Sequence, residues 1–327
     1  MRILSRSDTL GVIDLPACVA AVEEAFTKHG EGRSLEARRV HVPALLGGVF
    51  HVTAGGLASS TDAGVVGVKV NGRFPPRDAG GSQRVSGAVL LSDAASGAPL
   101  GLLDSMVVTS MRTAAVTAIV TNRLARGGAS EALLVGAGRQ AIGQVDALAL
   151  TGRFARLGVY DVVAANAQRV ARYAEERGLA ARLVDDLPAA ARTSDVIVTI
   201  TPARSPLLSA GDVSDGALVV ALGADSPGKQ ELDPQVLARA RVVVDILEQA
   251  EESGELQHAL AAGLMRREDV YAELGELLAG RKAGRSADDE RFVFDGTGTA
   301  LQDVAAAGLI LQVAAERGLG VEVQLDA

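Results

Sequence analysis

Tryptophan is absent from this sequence, cysteine occurs once and histidine four times. The lone Cys18 excludes an intrachain disulfide, so nothing marks an oxidising compartment and the thiol reads as core filler. His29, His41, His51 and His258 show no metal-ligand spacing, and no serine sits in a nucleophile elbow, so metal and acyl-transfer chemistry are set aside. No apolar run approaches a membrane span, and the opening residues, MRILSRSDTLGVIDLPACVA, carry charges where a signal sequence needs an unbroken apolar core. The expectation is a cytoplasmic protein with no membrane partner. Positive charge is in deficit: the formal net charge is −8, which argues against a nucleic-acid surface because the two would repel at long range.

What is present is enough chain for two domains, with 48% hydrophobic and 22% charged residues over 327 positions. From Met1 to about Arg126 the pattern is α+β, with a helix around PACVAAVEEAFTKHG and strand-like pieces RRVHVPA, VFHVTA and GVVGVKVNG separated by glycines. TSMRTAAVTAIVTNRLAR then predicts a helix capped by Thr109 or Ser110. From Glu131 to about Ile246 short apolar runs (ALLV, RLGVYD, DVIVTI, ALVVALG, RVVVDI) alternate with helical ones, the pattern of a parallel sheet with helices on both faces. GRKAGRSADDERFVFDGTG reads as an exposed polar connector before a last helix, ALQDVAAAGLILQVAAERG. That last helix is expected to return to the first region, so that the α/β domain is inserted into a discontinuous α+β domain.

The stretch EALLVGAGRQAIGQ sets a strand, a glycine turn and a helix in the order of a dinucleotide site. Gly136 permits the tight turn, Gly138 lets the backbone come close to a pyrophosphate, and Ala141 stands small where a third glycine often does. A bare strand-turn-helix would look similar, and flavin or methyl-donor sites share it. Asp161 ends the next strand, 25 residues on (161 − 136). A carboxylate there accepts hydrogen bonds from a ribose diol and repels a 2′-phosphate, and Val162 and Val163 follow without a cation, which favours NAD over NADP.

Three cations and two loop residues complete the candidates. Lys69 sits among apolar and small neighbours, so its ammonium is expected to have a specific target, although an edge-strand lysine facing water fits too. Arg112 falls in the first turn of the helix capped at Thr109 or Ser110, where the dipole disfavours a cation, and so points to an anionic ligand or to a plain surface arginine. Arg39 is the weaker candidate, with Arg38 beside it able to serve instead. In ALGADSPGKQEL, Asp225 directly follows an apolar run at the carboxyl edge of the sheet, and Thr201 ends the preceding strand; each is equally an ordinary loop residue.

Together, VGVKVNGRFP, MRTAAVTA, LLVGAGRQA, GADSPGKQEL, DILEQAEESGEL and FDGTGTALQD resemble, in order and spacing, the ornithine cyclodeaminase and mu-crystallin family over nearly the whole chain. The resemblance implies a Rossmann-type NAD-binding domain (118–296) inserted into a substrate and dimerisation domain (1–117 with 297–327), and a homodimer. It implies NAD-dependent chemistry at the carbon-nitrogen bond of a small L-amino or imino acid, of alanine dehydrogenase or ketimine reductase type. Ornithine cyclodeaminase and a non-catalytic mu-crystallin-like binding protein are the alternatives. Arg39, Lys69 and Arg112 would hold the substrate carboxylate, with Lys69 near the reacting carbon and Asp225 as acid/base. Arg112, Thr113, Gly136, Gly138, Arg139, Gln140, Asp161, Thr201, Leu222, Gly223 and Lys229 would lie along the cofactor. The chain departs from the family where HVTAGG replaces a VMP pattern and where Gly296 replaces a serine. HVTAGGLASS carries no acid for a distal amine, which favours a small substrate over ornithine.

Overall fold

The alternating pieces of the first region pair side by side. Strands β1 (Arg2–Leu4), β2 (Ser34–Pro43), β3 (Val49–Leu57), β4 (Val65–Phe74), β5 (Arg84–Asp93) and β6 (Pro99–Asp104) join the C-terminal strand Val321–Glu322. The sheet runs Val321–Glu322, β1, β6, β5, β4, β3, β2, antiparallel from β6 to β2. The computed structural model that shows this describes residues 1–58, 64–75 and 84–325. Ser59 and Ser60, which end the HVTAGGLASS stretch, lie outside them.

Because side chains alternate along a strand, register assigns each residue to a face. Arg39 opposes Thr53, Thr53 opposes Lys69, and Lys69 opposes Val89, all on one face. Arg38, one residue off, belongs to the other. The helix Ala300–Glu316 packs over the Lys69 face. Its approach depends on missing side chains: a Cβ added to Gly55 would stand 2.9 Å from Ala300 Cβ, and one on Gly67 2.5 Å from Val304 Cγ2. The helix Leu15–Gly30, begun by the Asp14 carboxylate accepting from Ala17 N, packs against it in turn.

The helix carrying Arg112 spans Ser105–Leu124, so its start lies upstream of the predicted cap at Thr109 or Ser110. Asp104 Oδ1 accepts from Met106 N (3.0 Å) and Val107 N (3.2 Å), and a cap aspartate satisfies the first-turn donors better than the threonine further on. Arg112 is therefore two turns into the helix, and the expected conflict with the dipole does not arise.

By internal contacts the chain forms two units, Met1–Arg112 with Thr299–Ala327 and Thr113–Gly298. In the second, β7 (Glu131–Val135), β8 (Arg156–Tyr160), β9 (Ala180–Leu183), β10 (Val196–Thr199), β11 (Arg204–Leu208), β12 (Leu218–Ala221), β13 (Gln230–Leu232), β14 (Arg241–Val244), β15 (Ala272–Glu273) and β16 (Phe292–Asp295) follow in sequence. Eight of them form a parallel sheet of order β15, β14, β16, β12, β10, β7, β8, β9, while β11 pairs with β13. This is a doubly wound Rossmann-type sheet. The chain winds outward from β7 to β9 and restarts at β10 on the other side of β7, which puts the switch point, where such sheets bind ligands, beyond the ends of β7 and β10.

The expected exposed connector before the last helix is wrong in one part. FVFD is strand β16, buried at all four residues between β12 and β14. Three apolar residues, Phe292, Val293 and Phe294, carry too little periodicity to separate a buried strand from a loop, and the charged residues before them point to a polar connector. Among the described residues no helix is long and apolar enough to cross a membrane.

Candidate active site

In the first unit the functional candidates converge on a residue that sequence reasoning passed over. Lys69 Nζ lies 2.6 Å from Asp303 Oδ2, Arg112 Nε 3.2 Å from Asp303 Oδ1, and Arg112 Nη1 donates to Gln302 Oε1 at 3.0 Å. Thr53 Oγ1 donates to Asp303 Oδ2 at 3.2 Å. The side chains of Lys69 and Asp303 are 6% and 2% exposed, so neither charge is screened by water and each depends on the other. Burial pushes the Lys69 ammonium down to about 8; Asp303 opposes the shift, and Arg112 and Arg39 add to it. For Asp303 burial works upward, but Lys69, Arg112 and Arg39 outweigh it and hold the carboxyl below its ordinary value. Asp303 also stands in the first turn of its helix, where the dipole favours an anion.

In the second unit the turn after β7 is shaped as a cradle. Gly136 has φ +102°, and a Cβ there would stand 2.8 Å from Thr201 Cγ2 and 2.9 Å from Ile200 O; beside Gly138 nothing lies within 4 Å. Asp161 Oδ2 accepts from Ala137 N (2.7 Å) and Oδ1 from Val163 N (2.8 Å), so the carboxylate is fixed while each oxygen keeps a lone pair for a ligand hydroxyl. Arg139 is exposed, Gln140 starts the helix Ala141–Leu150, and Gln140 Oε1 is a buried oxygen without a hydrogen-bond partner among the described residues. The open space over Gly138, the helix start and the anchored Asp161 fit a dinucleotide. Arg169 is a further neighbour: its Nη2 donates to Ala137 O at 2.8 Å. It arrives from the next helix, eight residues after Asp161 (169 − 161), outside the stretch where sequence reading looked for a cation.

The loops after β10 and β12 are tied together by Glu231. Its Oε1 accepts from Thr201 N (2.6 Å), and its Oε2 from Thr199 Oγ1 (2.7 Å) and Gly223 N (2.8 Å). A Cβ on Gly223 would stand 2.4 Å from Glu231 Cδ, so the glycine makes room for the staple. Asp225, half-exposed, meets Lys229 Nζ at 2.6 Å, and the buried ammonium also donates to Gly223 O at 2.9 Å. Lys229 thus orients Asp225 and closes the loop. Leu222 is half-buried; with Phe294 it occupies the space that a side chain at position 296 would need, since a Cβ on Gly296 would stand 2.7 Å from each. Thr113 is buried in its helix, and its carbonyl accepts from Thr117 Oγ1. Among the described residues no three His, Cys, Asp or Glu side chains form a group that could hold a metal ion.

The sequence profile of the ornithine cyclodeaminase/mu-crystallin family matches residues 2–318. The chain belongs to that family. Solved members of the ornithine cyclodeaminase/mu-crystallin family superpose on it almost end to end. An archaeal alanine dehydrogenase, a dimer with bound NAD, has a TM-score of 0.93 at 34% identity, covering 99% of both chains. The Thermococcus litoralis Δ1-pyrroline-2-carboxylate reductase, in complex with NADH and L-proline, has a TM-score of 0.92 at 30% identity, over 99% of this chain and 100% of that one. The Paracoccus denitrificans iminosuccinate reductase, in complex with NAD+, has a TM-score of 0.90 at 33% identity over 99% of both.

Asp303 and Glu231 are the residues the sequence hid. Asp303 in ALQDVAAAG looks like an ordinary first-turn carboxylate, and its register opposite Lys69 is a tertiary fact. Glu231 stands in the polar stretch GKQEL with only Leu232 apolar beside it, so nothing in the local pattern marks it as buried.

Proposed function

We propose that this protein is an NAD-dependent oxidoreductase that acts on the carbon-nitrogen bond of a small L-amino acid or the corresponding imine. The observation that carries this reading is the Lys69–Asp303–Arg112 group, buried at Lys69 and Asp303, a set of cations held ready for an anion in a chain that resembles three solved relatives in complex with NAD or NADH. Arg39, Lys69 and Arg112 take the substrate α-carboxylate, and Asp303 fixes their positions and lowers the cost of gathering them. Gly136, Gly138, Arg139 and Gln140 hold the pyrophosphate, Asp161 the adenosine ribose, and Thr113, Thr201, Leu222 and Gly223 line the rest of the cofactor. A bound nicotinamide supplies hydride exchange with the α-carbon.

With an ammonium titrating at about 8, Lys69 is able to give or take a proton near neutral pH beside the reacting carbon. Asp225, exposed on one side and oriented by Lys229 on the other, takes the proton of the water that attacks the imine in oxidation and returns it in reduction. The charged groups accelerate the reaction insofar as they suit the iminium-like transition state better than the ground state.

The working form we propose is a homodimer. Val40, Val42, Phe50, Val70 and Leu90 share the sheet face opposite Lys69 and are each 36% to 54% exposed, an apolar patch of the kind a second copy covers. Sedimentation analysis of the wild type and of a Val42→Glu, Val70→Glu variant checks this, with dimer and monomer the expected species.

The chemistry is tested by redox balance. A dehydrogenase given catalytic NAD and an L-amino acid stops once NADH has built up, and with NADH, ammonia and a 2-oxo acid it consumes the cofactor. Proline formed from L-ornithine with no net NADH would replace this reading with redox-neutral cyclisation.

A further inference from the structure

The turn after β7 holds Ala137 by both of its main-chain groups. Its N–H donates to Asp161 Oδ2 at 2.7 Å, and its carbonyl accepts from Arg169 Nη2 at 2.8 Å. The two groups belong to different peptide planes: Asp161 holds the one between Gly136 and Ala137, Arg169 the one between Ala137 and Gly138. No peptide bond among the described residues is cis, so in the second plane the carbonyl and the Gly138 N–H point in opposite directions. With the carbonyl turned to Arg169, on the helix Ala164–Glu176, the Gly138 N–H points away from that helix. The N–H groups of Gly138, Arg139 and Gln140 have no acceptor among the described residues, and they lead straight into the helix Ala141–Leu150. They are the donors that an anion at this helix start meets first.

The backbone of the turn does not by itself choose this orientation. Gly138 lies outside the left-handed region, but a glycine enters that region without steric cost, and the peptide before it can turn over as it does between type I and type II turns. Turned over, the plane brings the Ala137 carbonyl, an acceptor, to the side where a pyrophosphate needs donors. Arg169 favours one orientation over the other. Asp161, bound to the neighbouring plane, does not sense the difference.

We propose that Arg169 is a positioning residue for the cofactor: by holding the Ala137 carbonyl it keeps the peptide between Ala137 and Gly138 turned with its N–H toward the pyrophosphate. This rests on the nicotinamide-cofactor part of the oxidoreductase reading above. Arg169 is exposed and acts through the backbone, so the pyrophosphate gains a main-chain donor and Arg169 itself does not touch it.

The test titrates the wild type, Arg169→Met and Arg169→Lys with NADH by fluorescence, and follows displacement of NADH by ADP-ribose and by adenosine, at about 0.05 M and about 0.5 M KCl. Methionine removes the donor and the charge, whereas lysine keeps both. Arg169→Met is expected to bind NADH and ADP-ribose at least about tenfold more weakly than the wild type, by the same factor at both salt concentrations, and adenosine within about twofold. Arg169→Lys should return to within about threefold of the wild type for all three ligands. Because Arg169 is exposed, the thermal midpoint of Arg169→Met should stay within about 2 °C of the wild type, so that weaker binding is not a loss of fold. Unchanged dinucleotide affinity in Arg169→Met overturns the proposal. So does a loss on adenosine as large as that on ADP-ribose, which assigns Arg169 to the adenosine end. A loss that disappears at high salt also overturns it, since it makes Arg169 a direct charge contact to the phosphates. NADH consumption with ammonia and a 2-oxo acid, followed in the same preparations, separates this claim from the one it rests on. If the binding pattern holds and no 2-oxo acid is reduced, the positioning role stands and the oxidoreductase reading falls.

Discussion

Both units bury carboxylates, and they keep them in opposite ways. In the first unit Asp303 is surrounded by side-chain cations and held below its ordinary pKa. In the second, Glu231, Glu255 and Asp295 face backbone donors and one another, and burial raises all three, Asp295 to about 7 and Glu255 to about 9. Glu255 accepts from Glu231 N (2.7 Å) and Leu232 N (3.1 Å), and Asp295 Oδ2 from Leu256 N (2.8 Å). The two arrangements have different uses. A carboxylate among cations organises charge for a ligand, whereas carboxylates bound to main-chain N–H groups fasten loops and need carry no charge to do so.

The largest effect that separates the two is expected at Asp303. Asp303→Asn leaves Lys69 and Arg112 buried without their counter-ion, and should cost roughly 3–5 kcal/mol in denaturant unfolding as well as turnover. A loss under about 1 kcal/mol would show that the cations do not depend on it. Asp295→Asn should behave in the opposite sense. A raised folded-state pKa gives a contribution that is whole below the unfolded value near 3.8 and is lost as pH rises through about 7. Asp295 therefore makes the wild type less stable from about pH 4 to pH 7, with a slope of up to about 1.4 kcal/mol per pH unit. The asparagine variant, which mimics the protonated acid, should match the wild type near pH 3.5 and exceed it at pH 8 in the same unfolding experiment. A variant weaker at both values would mean that the ionised form holds the Leu256 amide. The smallest change in stability is expected at Gly138→Ala. Its Cβ meets nothing within 4 Å, so unfolding should shift by less than about 0.5 kcal/mol while NADH affinity, read by fluorescence titration, falls clearly. Unchanged affinity would remove the pyrophosphate from that turn.

The same contrast explains what the sequence disclosed. The Rossmann-type unit was legible because its signals are local: the runs that became β7, β8, β10, β12 and β14 alternate with helices, and the glycine turn announces the first crossover. FVFD is not legible because its three apolar residues carry no period, although β16 lies inside the sheet between β14 and β12. The start of the Arg112 helix was missed because two plausible caps, Thr109 and Ser110, lie inside it. Lys69 and Arg112 were noticed as cations out of place, yet Asp303 lies 234 residues from one and 191 from the other (303 − 69; 303 − 112). The histidines show no metal-ligand spacing in the sequence, and only register puts His41 opposite His51.

The central claim is that the Lys69 group serves the substrate and the glycine turn the cofactor. The most direct measurement takes wild type and Lys69→Ala, titrates both with NADH by fluorescence, and follows NADH consumption with ammonia and saturating 2-oxo acid. NADH affinity is expected to stay within about threefold while kcat/KM for the 2-oxo acid falls by at least about a hundredfold. Turnover that survives the substitution, or affinity for NADH lost together with turnover, would contradict it.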